Sequence, residues 1–259
     1  MPFVQNSKNS LCSLEQFFKA IESENLSSVN YSLTHLQAVD KSGYSALAVA
    51  IMNISVSGVL DLLEAAVSAN FKFYELAQPK NSRSQGLISF LLSFYKSSIE
   101  YTLDNRQEFD NATIVTMLDD LLGEQTGFHP DFKDGSGSTP LSSAIKQSCL
   151  EGVCSLIEKH KANAHVTDQK GNTLLHQACL TDSIDASIIH YLVIDAKLNS
   201  CLYIKNADQL TPLECLERYR KDNPHSLNFE TGEQNTRLLQ AYYRDFPPPE
   251  SVQTPRFKR

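Results

Sequence analysis

The chain has 259 residues, 41% of them hydrophobic, and a formal net charge of −7. That length and apolar share give one elongated domain or two small ones a core to bury. The acidic balance argues against nucleic acid, whose binding is driven by neutralising phosphates, and the apolar stretch Gly86 to Tyr95 is too short for the roughly 18 residues of a membrane span.

The first ten residues, MPFVQNSKNS, are polar and expected to fray. They lack a charged region followed by an apolar core, so no secretory signal peptide is expected. Residues 1–12 are therefore read as a flexible N-terminus. Ser13 then precedes Leu14, Phe17, Phe18 and Ile21 at helical spacing, with Gln16 three residues beyond it. That is the pattern of a capping box. A second helix is expected around Leu26–Leu36, completing a first, capping layer.

Asp40-Lys-Ser-Gly43-Tyr-Ser45-Ala-Leu-Ala-Val-Ala50 introduces a phrase that recurs. Gly43 permits a positive φ in a turn, and Ser45 can cap the helix that follows. A second helix is expected from Val56 to about Ala69. Residues 70–132 match the phrase poorly. Two helices are expected there, Gln85–Leu103 and Ala112–Leu122, the second capped by Asp110 or Asn111, with an added loop near Asp104–Phe109. Gly43 to Gly137 is 94 residues, which leaves either one degenerate repeat with longer helices or two.

From Lys133 the phrase returns in strength. Asp134-Gly-Ser-Gly137-Ser-Thr139-Pro-Leu141 is followed by Asp168-Gln-Lys-Gly171-Asn-Thr173-Leu-Leu175-His-Gln-Ala178, and Gly137 to Gly171 is 34 residues. Asn206-Ala-Asp-Gln209-Leu-Thr211-Pro-Leu213 is a further copy, 38 residues after Thr173, with Gln209 in the glycine position. Second helices are expected at Cys149–His160 and Ile184–Ala196. A helix is expected from the Thr211-Pro phrase to Lys221, then a polar loop Asp222–Glu233. A last helix, Asn235–Phe246, would carry an apolar stripe of Leu238, Leu239, Tyr242 and Tyr243. Pro247-Pro-Pro249 stops it; the alternative is a short polyproline ligand. Residues 247–259 are read as a disordered tail, with a basic end at Arg256–Arg259 that is either a solvated terminus or a localisation signal.

A fixed period of this length marks a stacked repeat. The phrase resembles the ankyrin repeat, with its T-P-L-H-x-A signature, over about Leu14 to Phe246. The resemblance implies an all-α ankyrin-repeat solenoid of about five to six helix pairs, one degenerate. The repeat ends at Lys161-Ala-Asn163 and Asp195-Ala-Lys-Leu-Asn199 resemble the family's G-A-D-v-N ending with Lys161 and Asp195 in place of glycine, so altered helix ends are expected.

An enzyme needs a nucleophile, a base and an orienting group. His176 and Cys179 share a helix face, but in the family this histidine is structural. Cys149 and Cys154 are five apart and do not converge like C-x-x-C. His129, His165, His190 and His225 lack ligand spacing. Gly135-Ser-Gly137 lacks the Lys-Ser/Thr of a phosphate cradle. Asp119-Asp120 is expected to face solvent. The six cysteines sit mostly in helical apolar patterns, as small buried hydrophobes of a reducing compartment. No catalytic residue, metal or cofactor is expected, and the expected location is the cytosol.

The resemblance implies a scaffold that binds a protein partner through finger tips and a concave face. Carried over by position, the contact residues are Lys41, Ser42 and Tyr44; Lys133, Ser136 and Ser138; Gln169, Lys170 and Asn172; and Ala207, Asp208 and Leu210. Tyr44 is the strongest candidate, because interface energy concentrates in aromatic and arginine side chains. The alternative is an enzyme or enzyme regulator built on the divergent 70–132 region, whose dense polar set is Tyr74, Asp104, Arg106, Glu108 and Asp110. The composition also resembles that of ankyrin effectors injected into host cells by type IV secretion, which would make the partner a eukaryotic host protein.

Overall fold

A computed structural model describes residues 10–68, 86–95, 111–126, 128–180, 185–222 and 229–248. The chain divides into two compact units, residues 1–140 and 141–259. Among the described residues regular structure is helical, with only isolated β-bridges at Val39–Ser45 and Thr167–Thr173. The helices follow one another in pairs, as the repeat phrase predicts.

The first unit holds α1 (Leu14–Glu22), α2 (Leu33–Leu36), α3 (Ala46–Met52), α4 (Val56–Ser68), α5 (Leu87–Leu92) and α6 (Asn111–Leu121). Ser13 caps α1 in a complete capping box with Gln16. The expected second helix of that layer is broken instead, into a 3-10 turn at Leu26–Ser28 and the short α2. In α3 the residues Ala46 to Ile51 are all buried. A helix apolar all round must be sandwiched, and α3 lies between α1 and α5 with α4 at its back. The second helices α4 and α6 are buried on one side only and pack on each other.

The divergent stretch contributes one helix pair among the described residues, α5 and α6, packed together. The first helix is shorter than the expected Gln85–Leu103. After Leu92 the bonds tighten to Phe94 N–H to Leu91 and Tyr95 N–H to Leu92, while the Ser93 hydroxyl donates to the Phe90 carbonyl at 2.6 Å. A serine competing for helix carbonyls in this way ends a helix readily. The expected loop Asp104–Phe109, and Asp110 as a cap, fall outside the described residues.

The second unit holds α7 (Pro140–Lys146, whose first residue closes the first unit), α8 (Leu150–Cys154), α9 (Leu174–Cys179), α10 (Ala186–His190), α11 (Pro212–Asp222) and α12 (Phe229–Asp245). Here α9 packs on α11, and α10 lies between α8 and α12. Both α8 and α10 run on into one wide π turn, Ser155–Lys159 and Tyr191–Asp195. The two ends are superimposable in their bonding: Ala162 N–H to Leu156 and Leu198 N–H to Leu192. The left-handed residues there are Lys161 and Lys197, both at φ +56. The altered ends were expected, but the second glycine position belongs to Lys197, not Asp195. The expected loop Asp222–Glu233 is also shorter, because α12 already begins at Phe229. In α12 Leu239 and Tyr242 are buried and Leu238 and Tyr243 half-buried. The expected N-terminal residues 1–9 and tail residues 249–259 lie outside the described residues.

The hairpins inside three pairs repeat one geometry. Glu24, Ile54 and Ser148 are left-handed. The following residue bonds back to Ala20, Ala50 and Ala144 in turn, the Schellman closure of a helix end. Backbone strain is testable at two finger positions. A Cβ on Gly43, at φ +85, would meet nothing within 4 Å, so Gly43→Ala isolates the conformational cost, roughly 1 kcal/mol of lost stability. Gln209 already carries that cost at φ +62, so Gln209→Gly should gain about 0.5 kcal/mol after its larger unfolded-state entropy. Opposite signs in urea denaturation are the expected outcome.

Candidate functional site

The recurring phrase folds into a finger turn that is identical four times. In Asp40, Asp134, Asp168 and Asn206 one side-chain oxygen accepts two backbone N–H groups, from the residues two and four further on, at 2.8–3.1 Å. The residue three further on is left-handed: Gly43, Gly137, Gly171 and Gln209. The base of each turn is closed by two backbone bonds, as in Asp40 N–H to Tyr44 and Gly43 N–H to Asp40.

The second side-chain atom is spent differently in each copy. In Asp40 it makes no bond among the described residues. In Asp134 it accepts from the Gly86 N–H at 3.2 Å and the Ser89 hydroxyl at 2.9 Å, capping α5, whose own N-cap residue is a glycine. In Asp168 it accepts from the Asn172 amide at 3.0 Å. In Asn206 it is an amide, which donates to Asn172 at 2.8 Å and to the Cys215 sulfur at 3.4 Å. The Ala207 N–H adds a bond to the Lys170 carbonyl at 2.8 Å.

His176 ties the second unit's fingers to its helices. Its Nδ1 accepts from Thr173 N–H and hydroxyl, and its Nε2–H donates to the Leu210 carbonyl at 2.9 Å. Burial pushes its pKa down, against the opposing pull of the Leu210 carbonyl and Asp168. The imidazole is a neutral structural clasp. His35 repeats the arrangement, with Ser32 on Nδ1 and the Cys12 carbonyl on Nε2.

The expected contact residues separate into two groups. Lys41, Ser42, Lys133, Ser136, Gln169, Lys170, Ala207 and Asp208 are exposed at the tips. Lys41 pairs with Glu15 at 3.2 Å, but the side chains are 88% and 76% exposed, so the pair contributes little. Asn172 does not belong among them: it is 4% exposed and committed to Asp168 and Asn206. Ser138 and Leu210 are half-buried, and Leu210 gives its carbonyl to His176. Tyr44 is half-buried too, its ring stacked on Phe90. Phe90 follows no repeat phrase, so its place beside Tyr44 was invisible in the sequence.

Within the second unit the fingers at Lys170 and Asp208 frame a cleft of about 230 Å³. Leu180, Leu210 and Tyr219 give it apolar surface, and Arg218, 3.8 Å from Asp222, borders it. Lys170 and Asp208 bring opposite charges to a lining that mixes polar and apolar side chains, an arrangement suited to a protein segment.

Burial holds the thiols of Cys179 and Cys154 in the protonated form. Cys179 is completely buried, and burial followed by the nearby Cys215 pushes its thiol far up. Cys154 is raised by burial and Glu158, and the Cys149 sulfur accepts from the Gly152 N–H. Neither Cys179 nor Cys154 is poised as a thiolate nucleophile. No group of three or more His, Cys, Asp or Glu among the described residues could hold a metal, and no described helix is long and apolar enough to cross a membrane. Tyr74, Asp104, Arg106, Glu108 and Asp110 lie outside the described residues.

No family model matches the chain. Solved structures do. The chain superimposes on the ankyrin repeat protein EF0377 with a TM-score of 0.60 and 14% identity, covering 91% of this chain and 100% of that one. An ankyrin repeat domain, ABAYE2397 of Acinetobacter baumannii AYE, gives 0.56 at 17% identity, with 89% and 98% covered. A chain from the complex of the Bdellovibrio bacteriovorus predatory endopeptidase Bd0816 with the immunity protein Bd3460 gives 0.56 at 17%, with 90% and 99% covered. The fold is all-α, of the ankyrin-repeat type.

The second side-chain atom makes the fingers unequal under mutation. Asp134→Asn turns an amide donor toward the Gly86 and Ser89 donors and should cost about 1–3 kcal/mol. Asp40→Asn, whose second atom is unbonded, should change stability by less than about 0.5 kcal/mol. The pH dependence has a definite sign. Burial alone would raise the Asp134 carboxyl, but bonds from Ser136, Gly86, Ser89 and Ser138 outweigh it and lower the pKa below 3.8. Its contribution is therefore full above pH 3.8 and lost as pH falls through the folded value. The stability gap between wild type and Asp134→Asn should narrow in that acid window, measured by denaturant titration at stepped pH.

Proposed function

We propose that this chain is a non-enzymatic scaffold that grips a partner protein through its finger tips and the inner-helix surface beside them. The observation that carries the proposal is the division of labour within each finger. The base is fixed by four hydrogen bonds, while the side chains of tips such as Lys170 and Asp208 make no hydrogen bond or ion pair among the described residues and border a cleft. A backbone turn fixed in this way lowers the ordering cost of binding at its tip. In the first unit the contact residues are Lys41, Ser42, Tyr44, Lys133 and Ser136. In the second they are Gln169, Lys170, Asp208 and Leu210, with Asn172 acting from behind as their support. The similarity to a chain from an endopeptidase–immunity protein complex is in keeping with a protein partner.

The finer reading is that the chain is a secreted effector, delivered by a type IV system into the host cytosol to act on host proteins. An irregular array rich in Ser and Asn and poor in Gly supports it, with an unmatched stretch at 70–132 and a C-terminal tail that carries Phe257 near its end. Two measurements test the two levels separately. Lys170→Glu and Asp208→Lys should each lower capture of the partner, identified by mass spectrometry from a eukaryotic lysate, by about tenfold, equivalent to ~1.4 kcal/mol. Unchanged capture by both variants would remove these tips from the interface. Deleting residues 247–259 should abolish delivery in a translocation assay while leaving capture by the purified protein intact.

A further inference from the structure

The two units differ sharply in charge. Residues 1–140 carry nine Lys and Arg against sixteen Asp and Glu, a formal −7, whereas residues 141–259 carry fourteen of each. The whole net charge of the protein sits on the first unit. A surplus of this size draws cationic partners to that unit.

The same unit holds a cluster of three aromatic rings. Tyr44, half-buried at the base of its finger, stacks on Phe90 with ring centres 6.2 Å apart and planes 24° from parallel. Phe94 meets Phe90 edge-on at 5.2 Å. Phe90 lies in α5 and Phe94 two residues beyond its last residue, Leu92, and all three rings belong to half-buried residues that keep part of their surface in solvent. Stacked and edge-on rings present both faces and edges, and their faces attract a cation through the ring quadrupole. Arginine satisfies this best, because its planar guanidinium stacks on rings and keeps its charge at any working pH. An aliphatic or aromatic anchor would use the same apolar area but draw nothing from the surplus negative charge.

We propose that Tyr44, Phe90 and Phe94 form a seat for an arginine side chain of the partner protein. The proposal rests on the scaffold reading, and it supplies the partner's chemistry: a segment with arginine in an otherwise basic setting. The solvent-facing parts of the three rings bind the guanidinium face. The acidic unit raises the encounter rate, so binding weakens as salt screens the field.

The test uses two capped tripeptides, acetyl-Gly-Arg-Gly-amide and the citrulline peptide of the same shape without charge. Ring-proton shifts of Tyr44, Phe90 and Phe94 are followed by NMR on the full chain. The arginine peptide should shift all three rings and bind about fivefold or more tightly than the citrulline peptide, with the preference shrinking as salt rises. Tyr44→Phe should keep the preference and Tyr44→Leu should lose it, both with unchanged thermal unfolding; should Tyr44→Leu fail to fold, a Phe94→Leu variant reads the same loss at the cluster's other end. Equal binding of the two peptides, or no shift with either, overturns the arginine seat. Failure of the unmodified chain to capture any protein partner, with the peptide preference intact, overturns the scaffold reading instead.

Discussion

A single side-chain oxygen that accepts two backbone N–H groups is the constraint on which each repeat depends. It reverses the chain in five residues and places a left-handed residue at the fourth. It then delivers the chain to the helix cap at a constant distance: Ser45, Thr139, Thr173 and Thr211 each lie five residues after their Asp or Asn. The turn is indifferent to what separates the copies. The interval is 34 residues in one place and 94 in another, yet the fingers at both ends of the longer interval have the same bonds. Insertions are absorbed between repeats because the turn is specified entirely within itself.

That locality decides what could be read in the sequence. The Asp-x-x-Gly spacing, the Ser13–Gln16 capping box and the buried face of α3 are all set by residues a few positions apart, and they are legible. What the sequence hid depends on distant partners. Gly86 caps α5 only because Asp134, 48 residues later, supplies the acceptor. Asn172 looks like a tip residue by position, but Asn206 reaches across and claims it. Phe90 acquires its meaning from Tyr44, which belongs to the preceding repeat. The start of α12 was missed for a different reason: Phe229 to Gln234 contains Gly232 and few apolar residues, so its helicity comes from packing on α11, where Gly232 accommodates the Arg220 side chain.

Among the described residues the backbone tolerates six non-glycine residues at positive φ, Ile54 among them. A β-branched residue is a costly occupant of that region. Each such position described here is closed by hydrogen bonds on both sides, so the surrounding turn over-determines it. Lys161 adds a bond from its own ammonium to the Glu158 carbonyl, compensating at a helix end where glycine would otherwise serve. Sequence drift away from glycine is therefore carried by the redundancy of the turns and not by any relaxation of their shape.

The clasp at His176 has a consequence for how the second unit comes apart. Three bonds cross the same boundary between adjacent repeats: His176 to Leu210, Asn206 to Asn172, and Ala207 to Lys170. In a linear array stability is a sum of weak intrinsic terms and strong nearest-neighbour couplings. At this boundary the coupling is built from polar groups that lose their partners together once either repeat opens. The repeats led by α9 and α11 should therefore behave as one folding unit, with no populated state in which one is ordered and the other is not.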